Sequence, residues 1–133
     1  MALIDMVVDG TTAVVAFRAN NAPEMALALN TFLDAADVDL YVWDAQLVGG
    51  GASPNFLCSL TVGDGEGGSV PRVPANDVLA IVLGGMDGNA VDAVAMAQSL
   101  GASIQDTGGG LSKTQIACGG VGPHWMGLAL VLP

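Results

Sequence analysis

The feature that most constrains this chain is a pattern of elements that occurs twice. In each half, a strand pattern is followed by a helix pattern, a second strand pattern and three consecutive glycines. A strand that contains a cysteine then follows. The glycines occupy positions 49–51 and 108–110, and the cysteines are Cys58 and Cys118. Recurrence of one order of elements indicates an internal duplication, here of a β-α-β-β unit.

The length of 133 residues suits one domain, and we place the repeat halves at about 11–63 and 76–133. The fold class that follows is α+β: a two-layer mixed β-sheet with two helices on one face. The second face of such a sheet needs cover, and in small folds of this kind another subunit often provides it. We therefore expect a homo-oligomer, with a trimer as the specific prediction.

Local signals place the individual elements. An Asp-Gly pair between two apolar runs predicts a hairpin, with strands at 3–8 and 13–17. Asparagine followed by Pro23 predicts a helix start, and the apolar spacing predicts a helix over 23–36. A second helix is predicted over 90–100, with Gly101 as its end. Further strands are predicted near 38–43, 55–62, 78–83, 103–105, 115–117 and 127–132.

The charge balance excludes two classes of partner. The chain has 13 acidic and 3 basic residues, a net charge of −10, and its basic residues are spread out along the sequence. Nucleic acid and anionic membrane surfaces both require clustered cations, so neither is expected as a partner. No apolar run approaches the ~20 residues of a membrane helix, and no signal-peptide pattern is present. We expect a soluble protein, in a virion or the cytoplasm, that is not secreted by a classical signal.

The stretch 106–114, DTGGGLSKT, suggests two kinds of chemistry. Asp106-Thr107-Gly108 resembles the catalytic triplet of an aspartic protease, but that family places the triplet early in the domain, whereas only 25 residues follow Gly108 here. The part that ends in Lys113-Thr114 resembles a phosphate-binding loop. It lacks both glycines of that motif, and a strand pattern follows where the motif requires a helix. We interpret the stretch as a connection between strands.

Candidate site residues outside that stretch are few. His124 is the only histidine, and together with Asp106 and Arg18 it forms the weak candidate set for catalysis. Asp64 and Glu66 are weak candidates for holding calcium, because they lack the spacing of an EF-hand loop. The two cysteines are too few for a metal cage. We expect no resident metal and no cofactor.

Aromatic residues point instead to an interface. Tyr41 and Trp43 share one face of an alternating strand, and Trp125 and Met126 open the last strand; these four are the predicted interface residues. We therefore hypothesise a non-enzymatic structural protein that forms symmetric homo-oligomers, for example a decoration (cement) protein on the larger protein shell of a virus. The alternative hypothesis is a small oligomeric enzyme or small-molecule binder with sites between subunits.

Overall fold

The computed structural model of the chain describes residues 3–9, 12–37, 39–50, 55–64, 73–84, 93–108, 110–119 and 124–132. These residues form both helices and strands, which confirms the α+β class. In chain order the elements are β1 (Leu3–Asp9), β2 (Thr12–Ala19), α1 (Ala22–Asp34), β3 (Tyr41–Gly50), β4 (Asn55–Gly63), β5 (Val73–Pro74), a 3-10 turn (Ala75–Asp77), β6 (Leu79–Gly84), α2 (Ala93–Thr107), β7 (Gly110–Gly119) and β8 (His124–Leu132).

The strands form two antiparallel sheets rather than one mixed sheet. Sheet A has the order β1-β2-β4-β3-β5 and sheet B has the order β6-β8-β7. Each helix joins two strands that run in the same direction, which is why a mixed sheet was expected. The third strand of each unit, β4 or β8, inserts between those two strands. Every hydrogen-bonded pair of described strands is therefore antiparallel.

Both units have the same topology. In the first unit, β2, α1, β3 and β4 follow one another and the strands lie in the order β2-β4-β3; in the second, β6, α2, β7 and β8 give the order β6-β8-β7. An internal duplication produces this kind of correspondence. β1 extends the first sheet by pairing with β2 from Leu3 opposite Arg18 to Asp9 opposite Thr12, so the predicted N-terminal hairpin is confirmed.

α1 forms for local reasons that the sequence contains. The Asn21 side chain accepts a hydrogen bond of 2.9 Å from the backbone N–H of Glu24, and Pro23 lies in the first turn, where it removes no helical hydrogen bond. The helix then buries one apolar stripe, made of Ala22, Met25, Ala28, Leu29 and Leu33. The predicted helix is confirmed, with its observed ends one to two residues earlier than expected.

α2 continues past the glycine that was predicted to end it. Met96, Leu100 and Ile104 are spaced four residues apart and pack in one cluster, so the apolar stripe extends beyond Gly101. That packing outweighs the roughly 1 kcal/mol cost of a glycine inside a helix. The strand predicted near 103–105 was therefore wrong, since these residues are helical. Among the described residues only Gly108 has a positive φ, 69°, and it ends the helix as an αL residue.

The two helices pack on different surfaces, which corrects the expectation that they share one face. The larger core cluster joins the inward face of sheet A, α1 and one face of sheet B, whereas the smaller cluster joins the opposite face of sheet B to α2. The reason is that sheet B is apolar on both faces: Leu128 and Leu130 face α1 and sheet A, while Ala129 and Val131 face α2. Each of these faces needs its own cover.

The two units meet along β3 and β7, which run side by side in the same direction. Asp44 on β3 lies next to Lys113 on β7, with Oδ1 and Nζ 4.0 Å apart. Five residues further along each strand, the backbone of Gly49 approaches Cys118 so closely that a Cβ on Gly49 would lie 2.9 Å from the Cys118 carbonyl oxygen. β3 extends to Gly50, and the missing side chain at Gly49 is what permits this approach.

The two cysteines lie in contrasting surroundings. Cys58 is buried in the larger core cluster, and this burial raises the pKa of its thiol to about 12. Cys118 on β7 is exposed, and both residues are free thiols. Because the thiolate is the reactive form of cysteine, burial protects Cys58 both sterically and by keeping it protonated.

A thiol reagent should distinguish the two cysteines. We expect 5,5′-dithiobis(2-nitrobenzoate) at pH 8 to modify one thiol per native chain, Cys118, and both thiols after denaturation in guanidinium. The release of thionitrobenzoate, followed by absorbance, measures this directly. The Cys118→Ser variant should release none in the native state and one equivalent once unfolded. Rapid reaction of both thiols in the native wild-type protein would contradict the placement of Cys58.

Candidate functional site

The outward side of sheet A is a broad surface that no described element covers. We call it the open face. Its centre is formed by the residues of β2, β4 and β3 that alternate with the buried core residues: Val14, Ala16, Arg18, Leu57, Ser59, Thr61, Asp44, Gln46 and Val48. α2 covers sheet B instead, so sheet A keeps one side exposed.

The strand register arranges these residues in three rows that cross the strands. Leu57 lies opposite Arg18 on one side and Val48 on the other, which forms the first row. Ser59 joins Ala16 to Gln46 in the middle row, and Thr61 joins Val14 to Asp44 in the last row. Residues within a row are about 5 Å from their neighbours, and successive rows lie about 7 Å apart along the strands.

Each of the three central strands places one exposed aliphatic residue on the open face. Val14 on β2 is 43% exposed, Leu57 on β4 is 44% and Val48 on β3 is 55%. An antiparallel sheet that faces water normally carries polar residues on its outward side. The open face mixes polar positions with these three aliphatic residues, as the surfaces of protein interfaces commonly do.

Among the nine central residues of the open face, the two charged ones stand at opposite corners. Arg18 is exposed at one end of β2 and makes no ion pair with any residue that the structure describes. Asp44 is at the far corner, on β3, where it is 51% exposed. Its contacts are long: Lys113 Nζ lies 4.0 Å away, and Gln46 Nε2 donates to its Oδ2 over 3.4 Å. Such exposed contacts contribute little, so the Asp44 carboxylate can exchange them for the cation of a partner.

Tyr41 and Trp43 lie at the end of β3, beside the open face. Tyr41 pairs with Gly63 in the sheet, and Trp43 is the extra residue of a β-bulge between Val42 and Asp44. Both aromatic side chains are half-buried. The Trp43 indole Nε1–H donates to the carbonyl oxygen of Asp64 over 2.9 Å, which fixes the ring against the end of β4. These two predicted interface residues thus border the open face.

The other two predicted interface residues lie elsewhere. Met126 is only 1% exposed and belongs to the larger core cluster, so its side chain has almost no surface to present. Trp125 is half-buried on the side of sheet B that faces α2. Its indole Nε1 is buried and has no hydrogen-bond partner among the residues that the structure describes. The four residues therefore do not form one surface, because adjacent positions on β8 point to opposite faces of sheet B.

The weak catalytic candidates are separated by the fold. Asp106 is exposed in the last turn of α2, just before β7 begins at Gly110. His124 is the first residue of β8 and pairs with Gly119 at the far end of β7, about 30 Å along the strand from Gly110. Arg18 lies on sheet A. Acid–base chemistry within one chain requires direct or single-water contact, which these backbone positions do not allow between Asp106 and His124.

The remaining candidate motifs can be placed in part. Asp64 is exposed after β4, with its carbonyl bonded to Trp43, while Glu66 lies outside the described residues. Within the described ranges, no three His, Cys, Asp or Glu side chains are grouped as metal ligands. The stretch 106–114 is the end of α2, a turn at Gly108 and the start of β7, so a helix precedes the connection where a strand was predicted.

Two features of the structure were not predicted from the sequence. Val14 and Leu57 lie on the open face, at positions that alternate with the buried residues of their strands, and this alternation was the available signal. The side-chain amide of Asn30 on α1 bonds both backbone groups of Ala80: Nδ2 donates to the carbonyl over 3.0 Å and Oδ1 accepts from the N–H over 2.9 Å. The residues around Asn30 in the sequence give no signal of this contact, because Ala80 lies 50 residues further along the chain.

Comparison with known proteins gave no similarity to add to this geometry: no family model, curated protein or solved structure matches the chain. Neither helix, within the residues that the structure describes, has the length and apolar character needed to cross a membrane.

Proposed function

We propose that the protein is a non-enzymatic structural protein that assembles into symmetric homo-oligomers. The observation that carries this proposal is the open face, where Val14, Leu57 and Val48 are exposed on three adjacent strands. Exposed aliphatic side chains on a rigid sheet lose unfavourable contact with water when a second protein surface covers them. Tyr41 and Trp43, which border this face, supply the amphipathic aromatic surface that interfaces favour.

The chemistry of the surface also supports assembly. A net charge of −10 keeps separate copies apart at long range, so a specific contact is favoured where a cation can meet a carboxylate. The open face supplies Arg18 for this purpose. We further propose that the oligomer decorates a larger protein shell such as a virus capsid, in a virion or in the cytoplasm where virions assemble. There it would provide surface contacts rather than catalysis.

Solution mass tests the assembly proposal. We expect multi-angle light scattering of the purified protein to give twice or three times the 13.2 kDa of one chain. A threefold mass would confirm the predicted trimer, and a twofold mass would indicate an isologous dimer. On dilution the mass should fall toward that of one chain, because association of exposed surfaces follows mass action. A mass of one chain at all concentrations up to about 1 mM, the weakest affinity worth considering, would overturn the proposal.

A further inference from the structure

We propose that the open face binds the open face of a second copy about a two-fold axis, with Arg18 of each copy against Asp44 of the other. This inference rests on the proposed homo-oligomeric function and specifies its contact. It assigns an isologous dimer as the unit of assembly, in place of the trimer predicted from the sequence.

The positions of the charges define the axis. Arg18 and Asp44 stand at diagonally opposite corners of the three rows, two strands and four residues apart, or about 16 Å between their Cα atoms. In a face-to-face dimer, the two-fold axis lies in the plane between the two faces. A residue on one side of the axis in one copy then faces the residue of the other copy that lies, in its own chain, on the opposite side of the axis. An axis perpendicular to the Arg18–Asp44 diagonal therefore brings each arginine to the aspartate of the other copy, twice per dimer.

The same axis places the apolar residues where an interface needs them. It runs close to the other diagonal of the face, which contains Val14, Ser59 and Val48. A residue near a two-fold axis contacts the same residue of the other copy. Val14 therefore packs against Val14, Val48 packs against Val48, and the small Ser59 lies at the centre. Leu57 lies beside this line. The strands of the two copies then cross steeply, which is the orthogonal class of sheet packing.

The size of the face fits a weak, transient contact. The strands β1, β2, β4 and β3, at about 4.8 Å spacing and with about eight residues of 3.3 Å each, form a face of about 19 by 26 Å. Because the strands of the two copies cross steeply, the area that both copies share is roughly 380 Å² per copy, or about 800 Å² in total, at the low end of the range of protein interfaces. The contact is therefore expected to be dimeric and dependent on concentration.

Charge reversal is the test of the pairing. In sedimentation equilibrium we expect Arg18→Asp to weaken dimerisation by at least about tenfold, since it opposes two carboxylates at each of two symmetric positions. Asp44→Arg should weaken it similarly, although it brings the net charge of −10 closer to zero and would strengthen association if only overall charge mattered. The double variant Arg18→Asp/Asp44→Arg should recover the wild-type dissociation constant within about threefold.

Two controls separate this proposal from the assembly proposal. Asp34→Arg reverses an exposed charge on α1, outside the open face, and should not weaken dimerisation. Leu57→Asp should abolish the dimer, whereas Leu27→Asp, at a leucine that is 69% exposed on α1, should not. Circular dichroism checks that each variant is folded. If Leu57→Asp does not fold, Val14→Asp takes its place and should likewise abolish the dimer. Persistent assembly of the Leu57→Asp and charge-reversed variants would overturn this contact while assembly stands; a monomeric wild type would overturn both.

Discussion

Replacement of Gly49 by alanine should destabilise the protein by about 3 kcal/mol, the upper part of the range for overpacking a filled site. A Cβ at this position would lie 2.8 Å from Phe56 Cε1, 2.9 Å from the Cys118 carbonyl oxygen and 3.0 Å from its carbonyl carbon. The aromatic ring can turn, but the backbone of β7 cannot give way without shifting its pairing with β8. The substitution therefore separates the two units where they meet.

The second glycine triplet supplies the matched control for this prediction. Gly110 lies in β7, and within the described part of the chain it has no neighbouring atom closer than 4 Å to a Cβ added there. Gly110→Ala should leave the free energy of unfolding unchanged or raise it by about 0.5 kcal/mol, because alanine has less conformational freedom to lose on folding. Urea denaturation measures both variants. Equal stability of Gly49→Ala and Gly110→Ala would mean that β3 and β7 do not approach as described.

Replacement of Asn30 by alanine should cost about 2 kcal/mol, the scale of leaving a partly buried donor and acceptor without protein partners. The Asn30 amide bonds the N–H and the C=O of Ala80, which both point away from sheet B along the free edge of β6. The Asn30 side chain forms the two hydrogen bonds that the backbone of a neighbouring strand would form with Ala80, and it holds α1 against the second unit. Its removal exposes two backbone groups that no other described residue bonds.

Thr31 provides the comparison for Asn30. It is the next residue on α1, it is exposed, and its side chain makes no hydrogen bond with another residue that the structure describes. Thr31→Ala should be neutral or slightly stabilising, by about 0.5 kcal/mol, because alanine is the better helix former. Thermal or urea unfolding of both variants separates the effects. A loss below about 0.5 kcal/mol in Asn30→Ala, the usual range of surface substitutions, would contradict the edge contact.

Local signals in the sequence predicted the elements whose causes are local. The cap at Asn21 and the apolar stripe of α1 act within a few turns of chain, so that helix could be predicted closely. The end of α2 could not, because burial of Ile104 against sheet B outweighs the tendency of Gly101 to end a helix. The sequence predicted strands near 78–83 and 127–132, yet it did not show which element covers each face of the sheet that they form.

The candidate surface was predicted only at its border. Tyr41 and Trp43 were predicted because two aromatic residues share one face of a single strand. Val14, Leu57 and Val48 were not predicted, since they lie on three different strands and only the strand register places them on one side of the sheet. Met126 was assigned to an interface because it follows Trp125, but alternation along β8 turns it into the core. Strand register is set by long-range pairing, which one sequence does not reveal.

Methyl spectra recorded on dilution test the central claim most directly. The chain offers exposed aliphatic residues both on the open face, at Val14, Leu57 and Val48, and away from it, at Leu27 on α1 and Val94 on α2. With valine and leucine methyl groups labelled, we expect the signals of the first three residues to shift as the protein dissociates, while those of Leu27 and Val94 stay fixed. Shifts confined to Leu27 or Val94, or no shift at any concentration, would contradict assembly through the open face.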